Sequence, residues 1–274
     1  MNRNETSRLI SEHNIRPKKS KGQNFLTDER VALRHISFAN VERDDRVLEV
    51  GPGLGILTAI LVDSCNSVTA IELDDKLADH IQNEFGGRVN LIRGDALDVE
   101  WPAFDKFVSN LPYSISTPAI FKLLDHDFKK AVVMVQKEFA ERMIAKRGEV
   151  DYSRLTVNVY YRAECRILEN VPASRFKPRP KVDSALVEII PRPAPFTVED
   201  ERTFFKVVDA GFIHRRKKIR SALRTEGIVI PDGADVPFLD DRMEILSPED
   251  IGKLSDAVFR NGRKVCGADA ERYN

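Results

Sequence analysis

The chain has 274 residues, and its 43 basic side chains are balanced by 43 acidic ones. Net charge therefore excludes no class of partner, and a surface for nucleic acid would have to come from local clustering of charge. The length suffices for one large domain or two. No apolar run approaches the roughly 18 residues of a membrane span, and the N-terminus lacks the apolar segment of a secretory signal. We therefore expect a cytoplasmic protein that does not bind a membrane.

The potential metal ligands are scattered along the sequence. Cys65, Cys165 and Cys266 form no Cys-x-x-Cys pair, and the five histidines are equally dispersed. Zinc sites and disulfide frameworks require closely spaced thiols and imidazoles. The sequence thus predicts a reduced protein without a metal ion. It also disfavours chemistry that needs a cysteine nucleophile, such as methylation of a cytosine ring carbon.

Residues 1–21 are polar and end in a basic cluster, Arg16-Pro17-Lys18-Lys19-Ser20-Lys21. A flexible, solvated arm is one interpretation, and an arm that touches phosphates is the other. Further along, Thr27 or Asp28 provides the side-chain cap for a helix that follows.

The clearest local pattern is a strand, a glycine-rich turn, a helix and a second strand. Val47–Val50 leads into Gly51-Pro52-Gly53-Leu54-Gly55, a helix begins at Ile56, and the strand Ser67–Ile71 ends at Glu72. Glycines let the backbone approach a ligand closely, and an acid at the end of the second strand can accept hydrogen bonds from both hydroxyls of a ribose. This unit predicts a nucleoside site.

The spacing of the glycines narrows the choice of nucleoside. A dinucleotide site would place its third glycine at position 56, which is Ile56, and no Gly-Lys-Ser/Thr follows to form a phosphate-binding loop. A Gly-x-Gly-x-Gly turn preceded by Glu49 suits a nucleoside without a phosphate. We interpret it as a site for S-adenosylmethionine.

Strands and helices continue to alternate beyond this unit. A helix over 74–85 and a strand over 89–92 precede Asp95, which could accept from the adenine amino group of the cofactor or simply cap a helix. Further strands are predicted at 107–109, 131–135, 155–161 and 185–190, with a helix over 137–145. The alternation predicts a Rossmann-like α/β sheet with helices on both faces, in a catalytic domain over 22–193.

At the end of the strand 107–109 lies the tetrapeptide Asn110-Leu111-Pro112-Tyr113. The Asn110 amide oxygen can accept from an exocyclic amine, Pro112 leaves the Leu111 carbonyl available, and Tyr113 can stack on a base. Taken alone, the tetrapeptide could equally be a strand-ending turn. Beside a nucleoside site it predicts the pocket for a flat, amino-bearing base.

The segment 171–184 contains three prolines and one aromatic residue, Phe176. A stiff loop that exposes an aromatic ring could form a lid over the pocket, on which a base would stack. The alternative is that Phe176 packs into the core.

After a proline-rich linker at 191–195 the pattern becomes helical throughout, which predicts a small all-α domain over 194–274. It contains the basic run His214-Arg215-Arg216-Lys217-Lys218-Ile219-Arg220, for which no acid follows at the i+4 positions. We expect an amphipathic basic helix, which is either a solvated face or a contact for a polyanion.

Taken together, these motifs resemble the small-subunit ribosomal RNA adenine dimethyltransferases. The resemblance extends from about Lys21 to about Leu254 and is carried by the following segments: Lys21–Leu26, Glu49–Gly55, Ile71-Glu72, Gly94-Asp95, Asn110–Tyr113, Gln136–Glu138, Phe176–Ser184 and the basic run. It implies methyl transfer from S-adenosylmethionine, without a metal, to the exocyclic amines of two adjacent adenosines near the 3′ end of small-subunit RNA. The partner would be this RNA or a precursor particle, and the protein would be a monomer.

The resemblance also implies roles for individual residues. Asn24 and Leu26 would close over the cofactor, Gly51 would lie along its methionine part with Gly53 beside it, and Glu72 would hold the ribose. Asp95 would bind the adenine and Asn110 would contact both cofactor and target, while the tetrapeptide and Phe176 would hold the target base. RNA would be bound by Arg215, Arg216, Lys217, Lys218 and Arg220.

Two alternatives remain open. The same tetrapeptide chemistry serves an adenine amine in large-subunit RNA or in DNA. The protein could also be an assembly factor of the small subunit for which catalysis is secondary.

Overall fold

The structure, a computed structural model, describes residues 3–12, 15, 17 and 22–270. The chain forms two compact units, the first made of 1–141 and 163–192 and the second of 142–162 and 193–274. The predicted catalytic domain over 22–193 is therefore interrupted. The segment 142–162 leaves the first unit and packs with the C-terminal helices.

The first unit alternates strands and helices along most of its length. Its elements in chain order are α1 Arg3–Glu12, β1 Phe25–Leu26, α2 Glu29–Ala39, β2 Arg46–Val50, α3 Ile56–Ser64, β3 Ser67–Glu72, α4 Asp75–Phe85, β4 Asn90–Arg93, β5 Lys106–Asn110, α5 Ser116–Leu124, β6 Lys130–Gln136 and α6 Lys137–Ile144, whose last turn lies in the second unit. After α7 (Arg154–Arg162) of the second unit come β7 Ala163–Val171, β8 Phe176–Lys177 and β9 Ser184–Pro191.

A seven-stranded sheet with the order β4-β3-β2-β5-β6-β9-β7 forms the centre of the first unit. The strands from β4 to β6 run parallel, whereas β9 is antiparallel to both β6 and β7. The strand order reverses between β2 and β5, the place where open α/β sheets bind ligands. The Rossmann-like fold class is confirmed.

Local chemistry explains where the helices of this unit begin. The Asp28 carboxylate accepts from the backbone N–H of Arg30 at the start of α2, and Asp74 accepts in the same way from Lys76 at the start of α4. Of the two predicted caps for α2, Asp28 is thus the one used. Such side-chain caps satisfy amide groups that a helix leaves unpaired.

The predicted flexible arm over 1–21 is wrong for the part that the structure describes. Residues 3–12 form α1, and its Leu9 and Ile10 pack with Ile15 against Phe25 and Leu54. Three apolar residues on a short segment are enough to anchor it once a complementary surface exists, which the sequence alone does not reveal. Most of the basic cluster 16–21 lies outside the described residues.

The second unit contains helices and loops but no strand among its described residues. It contains α7, α8 Glu201–Ile213, α9 Ile219–Thr225 and α10 Pro248–Ala270. Their apolar faces meet around Phe204, Met243 and Leu254, which are fully buried. The all-α character predicted for the C-terminal part is therefore found, with 142–162 added to it.

The strand predicted over 155–161 is wrong, because this segment is the helix α7. Leu155, Val157, Val159 and Tyr161 are all buried, as are two polar residues between them. Apolar residues at every second position imitate the alternation of a half-buried strand, and the β-branched and aromatic residues of the segment also favour a strand. The strand follows directly afterwards as β7, Ala163–Val171.

No helix among the described residues is long and apolar enough to cross a membrane.

The interpretation of Phe176 as a lid residue is also wrong, since its side chain is 0% exposed in the core of the first unit. The backbone at Phe176 pairs with Leu26 in the short sheet of β1 and β8. Next to it, Arg175 forms an ion pair of 2.7 Å with Asp28, and its carbonyl accepts from the Thr27 N–H at 2.8 Å. The segment is thus fixed at several points, and its aromatic ring supports the fold.

The buried position of Phe176 predicts the effect of its removal. Phe176→Ala should lower the free energy of unfolding by about 3–5 kcal/mol, because it leaves a cavity in a packed core. Phe176→Leu, which keeps most of the volume, should cost roughly 1.5 kcal/mol or less. Denaturant unfolding of both variants measures this. A Phe176→Ala protein with parental stability but impaired activity would instead support the lid.

Candidate active site

A cavity of about 300 Å³ lies at the carboxyl ends of the central strands, on both sides of the point where the strand order reverses. Its walls come from the turn after β2, the ends of β3 and β4, the segment 22–26 and the residues after β5. All the predicted cofactor-binding residues and the whole tetrapeptide line it: Asn24, Leu26, Gly51, Gly53, Glu72, Asp95, Asn110, Leu111, Pro112 and Tyr113. Phe176 does not.

The glycine turn brings the backbone of β2 against the tetrapeptide. Gly51 has a φ of 70°, and a Cβ atom added there would lie 3.0 Å from Cγ and 3.2 Å from Cδ of Pro112. Any side chain at this position would strain the backbone and displace the proline ring. The two motifs are therefore fitted to each other, which explains why position 51 must be glycine.

Two buried carboxyl groups face this cavity from neighbouring strands. Glu72 accepts from the backbone N–H of Gly53 at 3.2 Å and from that of Asp74 at 2.9 Å, which fixes its orientation at the end of β3. Glu49 lies on β2 and accepts from the Thr58 hydroxyl at 2.7 Å. Burial raises the pKa of Glu72 and raises that of Glu49 to about 8, since the low-dielectric surroundings disfavour the charged form.

A third carboxyl group, Asp95, lines the cavity beyond the end of β4. One of its oxygens accepts from the Leu97 N–H at 2.9 Å, so it also stabilises the turn that it begins. Among the described residues that line the cavity there is no lysine, arginine or histidine. Acids without a balancing cation suit a positively charged ligand and oppose a phosphate.

The tetrapeptide offers two oxygen acceptors. The Asn110 side-chain NH₂ donates to the Asn24 carbonyl at 3.4 Å, which leaves Oδ1 as the free acceptor of that amide. Next to it, the Leu111 N–H donates to the Met134 carbonyl at 3.1 Å, while no described residue donates to the Leu111 carbonyl. Two acceptors from adjacent residues match the two N–H bonds of an adenine amine.

Tyr113 is held by a hydrogen bond between its hydroxyl and that of Ser184, at 2.6 Å. The ring is partly buried, and burial raises the pKa of the phenol, so Tyr113 stays neutral and its flat face serves for packing. With Phe176 in the core, Tyr113 is the aromatic residue of the predicted base pocket that actually lines the cavity.

Sequence reasoning missed part of the apolar wall. Phe25, Leu54 and Leu77 line the cavity and also contact the apolar face of α1. Leu77 belongs to the periodic apolar face of α4, so its pattern was indistinguishable from that of core residues. These residues can be recognised as part of the cavity wall from the position of α1 behind them, and only the three-dimensional structure shows that position.

Most of the basic run of the second unit is not helical. Its first five residues form the turn between α8, which ends at Ile213, and α9, which begins at Ile219, so the last two residues of the run belong to α9. Acids from distant positions neutralise part of it: Glu226 contacts His214 at 2.6 Å, Glu244 contacts Arg215 at 2.5 Å and Asp240 contacts Lys218 at 3.3 Å. Sequence separations of 12 to 29 residues hid these pairs from a search at i+4.

The remaining cations of the run are differently placed. Arg216 and Arg220 are exposed, and within the part of the chain that the structure describes neither forms an ion pair, while Lys217 donates to the Thr225 hydroxyl at 3.0 Å. A shallow groove of about 720 Å³ begins beside the run, where Arg215 lines it together with Arg142 and Arg154. The same groove exposes Ile213 and Val150, which are 60% and 84% exposed.

The described residues contain no cluster of three or more histidine, cysteine or acidic side chains with the geometry of a metal site.

The buried Glu49 predicts a pH dependence of stability in the ligand-free protein. Its folded-state pKa of about 8 exceeds the ordinary value of 4.5, so the folded protein binds this proton more tightly than the unfolded chain does. The stabilisation is complete below pH 4.5 and is lost as pH rises through about 8. Glu49→Gln should remove on the order of a few kcal/mol of that decline.

Denaturant unfolding at pH 5 and pH 9 measures the difference for both proteins. Glu84→Gln, which changes an exposed carboxylate on α4, serves as the control and should keep the parental profile. Parallel profiles for the parent and Glu49→Gln would contradict the buried, protonated state.

Comparison with known proteins agrees with this geometry. A family model described as ribosomal RNA adenine dimethylase matches residues 14–246. A probable ribosomal RNA small subunit methyltransferase A of Methanosarcina mazei is 44% identical over 247 residues, which cover 86% of this chain and 91% of the relative.

Two solved structures are similar as well. A dimethyladenosine transferase from Plasmodium falciparum has a TM-score of 0.73 and 30% identity, covering 87% of this chain and 98% of its own. The 23S rRNA methyltransferase ErmE has a TM-score of 0.63 and 28% identity, covering 86% of this chain and 100% of its own. With its sheet, its glycine turn and its tetrapeptide in one cavity, the chain belongs to the ribosomal RNA adenine dimethylase family.

Proposed function

We propose that this protein transfers methyl groups from S-adenosylmethionine to the exocyclic amines of two adjacent adenosines near the 3′ end of small-subunit ribosomal RNA. Membership of the ribosomal RNA adenine dimethylase family supports the chemistry. The names of the curated relatives and the similarity to a dimethyladenosine transferase support the small-subunit substrate. The similarity to a 23S rRNA methyltransferase is weaker, with a TM-score of 0.63 against 0.73.

The charge of the cavity is the observation that carries the choice of cofactor. Glu49, Glu72 and Asp95 line it, and no cationic side chain is among its described lining residues. A dinucleotide or nucleoside phosphate would find no cationic partner among these residues and would oppose ionisation of the carboxyl groups, whereas the positive sulfonium and ammonium groups of S-adenosylmethionine favour it. The residues present therefore fit this cofactor, which supplies an activated methyl group when bound.

Each side of the cavity provides contacts for one part of the cofactor. Glu72, already oriented by two backbone N–H groups, would accept from the ribose hydroxyls, and Asp95 would accept from the adenine amine. The strand-turn backbone at Gly51 would lie along the methionine part. On the remaining side, Asn24 and Leu26 would cover the cofactor.

The tetrapeptide positions and activates the target amine. An adenine amine is a weak nucleophile because its lone pair is delocalised into the ring. Hydrogen bonds from its two N–H groups to Asn110 Oδ1 and to the Leu111 carbonyl favour a pyramidal nitrogen whose lone pair points at the methyl donor. Tyr113 stacks on the ring, which offsets part of the few kcal/mol needed to unstack the base from the RNA.

No general base is required in this scheme. The cavity has no lysine or histidine among its described lining residues, and the amine loses its proton after the methyl has been transferred. The contribution of the protein is therefore orientation of two reactants within a shared cavity.

Asn110→Ala tests this function directly. The variant removes one acceptor used in the transition state, so single-turnover methylation of small-subunit RNA should fall roughly 10²–10³-fold. Binding of S-adenosylhomocysteine should change far less. Tritiated S-adenosylmethionine measures the rate, and primer extension locates the product as paired stops near the 3′ end.

Asn90→Ala is the matched control, because Asn90 lies on the same sheet outside the cavity. An unchanged rate in Asn110→Ala would contradict the mechanism, and stops in large-subunit RNA alone would contradict the substrate. An Asn110→Ala protein that still supports maturation of the small subunit would show a separate role in assembly.

For the RNA itself, the structure narrows the predicted contact residues. Arg216 and Arg220 are the exposed cations of the basic run whose side chains form neither an ion pair nor a hydrogen bond with the described residues, so they are the ones available to phosphates. Arg215, Arg142 and Arg154 line the neighbouring groove, where the exposed Ile213 and Val150 can contact an unpaired base. Lys217 and Lys218 contribute less, because their ammonium groups already have partners.

The double variant Arg216→Glu, Arg220→Glu should weaken RNA binding and reduce the salt-dependence slope by about 2, since each phosphate contact contributes about 1. Fluorescence anisotropy across a salt series measures the slope. Lys206→Glu, an exposed cation on α8, makes the same type of change outside the run and should alter the slope less. Equal slopes in the parent and the double variant would assign these arginines to a solvated face.

A further inference from the structure

Lys122 makes an unusual set of contacts on α5, some distance along the helix from the tetrapeptide. Its ammonium Nζ donates to the carbonyls of Ala96 at 3.0 Å, Leu97 at 3.1 Å and Val99 at 2.6 Å. An ammonium group has three N–H donors, and here each has a backbone acceptor. The lysine is thus bound to a single short segment of chain and to no carboxylate.

That segment is the turn that begins with Asp95. The backbone N–H groups of Asp98 and Val99 both donate to the Asp95 carbonyl, at 3.0 Å each, so 95–99 forms one helical turn. A single turn leaves its last carbonyls without intrahelical partners. Lys122 satisfies those carbonyls and places a positive charge at the negative end of the turn.

Trp101 holds the same turn from another direction. Its indole N–H donates to the Ala96 carbonyl at 2.8 Å, so this carbonyl accepts two hydrogen bonds. The indole ring is stacked on Phe107 of β5 at a centroid distance of 5.3 Å, and the Lys122 ammonium lies 5.3 Å from the indole centroid. Lysine, indole and turn therefore form one packed group.

This group joins the two halves of the cavity. Asp95 and Ala96 line the cavity on the side of β4, while Asn110 to Tyr113 line it on the side of β5 and lead directly into α5. Lys122 is on that helix, and Phe107 is on that strand. The side chain of Lys122 does not line the cavity and acts only through the turn.

We propose that Lys122 is a positioning residue for the adenine of S-adenosylmethionine: by holding the carbonyls of the 95–99 turn, it fixes the Asp95 carboxylate where it accepts from the adenine amine. This inference rests on the proposed function, in which Asp95 binds the cofactor. It adds that Lys122, by holding this turn, contributes to the preference of the site for adenine over a base that lacks the amine. Trp101 supports the same turn through Ala96.

Lys122→Met provides the sharpest perturbation, because methionine retains the shape of the apolar stem of lysine and removes all three donors. Lys129→Met is the matched control. Lys129 is an exposed lysine of the first unit that pairs with Asp45 and Asp105, so its loss removes ion pairs without touching a residue that lines the cavity. Trp101→Phe is the second variant, since it keeps an aromatic ring against Phe107 and removes the indole N–H.

The measurement is calorimetric binding of two ligands to the free protein, S-adenosylhomocysteine and its deaminated analogue, in which a 6-oxo group replaces the adenine amine. The parent should prefer the amine form by about tenfold or more, because the oxo group presents an acceptor to a carboxylate. In Lys122→Met the affinity for S-adenosylhomocysteine should fall about tenfold and that for the analogue much less, so the preference approaches 1. Trp101→Phe should shift the preference in the same direction by a smaller factor.

Lys129→Met should keep the parental affinities for both ligands. The inference is overturned if Lys122→Met or Trp101→Phe retains the full preference for the amine form. It is also overturned if both ligands weaken equally, because that pattern indicates general destabilisation of the cavity. Failure of the parent to bind S-adenosylhomocysteine would contradict the proposed function itself, so the two failures are distinguishable.

Discussion

The pairing of β2 with β5 is the constraint on which the site depends. Their parallel ladder joins Val47 to Lys106 and Leu48 to Phe107, and both strands then continue to Val50 and Asn110. Beyond the ladder, the Ser109 hydroxyl donates to the Val50 carbonyl at 2.6 Å and holds the two strand ends together. Because of this pairing, the glycine turn and the tetrapeptide emerge side by side from strands that are about 60 residues apart in sequence.

Electrostatics then decides what the shared cavity can bind. Burying carboxyl groups costs free energy unless they are neutral or paired, and here burial raises the pKa of both Glu49 and Glu72. A cationic ligand relieves that cost by favouring the charged forms. The ligand-free protein therefore stores an unfavourable arrangement of acids, and binding a sulfonium compound reverses it. This is consistent with a nucleoside site beside a glycine turn whose described lining residues include no cation for a phosphate.

Features of the site that depend on neighbouring residues could be predicted from the sequence, whereas features that depend on contacts between distant parts of the chain could not. The glycine turn, the acid at position 72 and the tetrapeptide are local patterns at strand ends, and all lie where the sequence placed them. The outcome for Phe176 depended on the pairing of β8 with β1, about 150 residues away in the chain. The partners of the basic run were likewise remote, and the apolar residues of α7 alternate in the manner of a strand.

The two acceptors of the tetrapeptide differ in how firmly they are held, and this bears on the transfer of two methyls to one amine. The Leu111 carbonyl is fixed by the ring of Pro112 and by the bond from its own N–H to Met134. The Asn110 amide is restrained by a longer contact of 3.4 Å to the Asn24 carbonyl and can rotate about its side-chain bonds. A singly methylated amine has one N–H left and needs only one acceptor.

Under the proposed function, the fixed carbonyl retains that last N–H while the amide side chain yields space to the first methyl group. A site with two rigid acceptors would hold the unmodified amine well and would reject the singly methylated one. The combination of one backbone and one side-chain acceptor is therefore suited to repeated transfer at the same nitrogen. The order of residues in the tetrapeptide produces this combination. Leu111 precedes Pro112, so the proline ring restrains the Leu111 carbonyl, whereas Asn110 contributes its side chain.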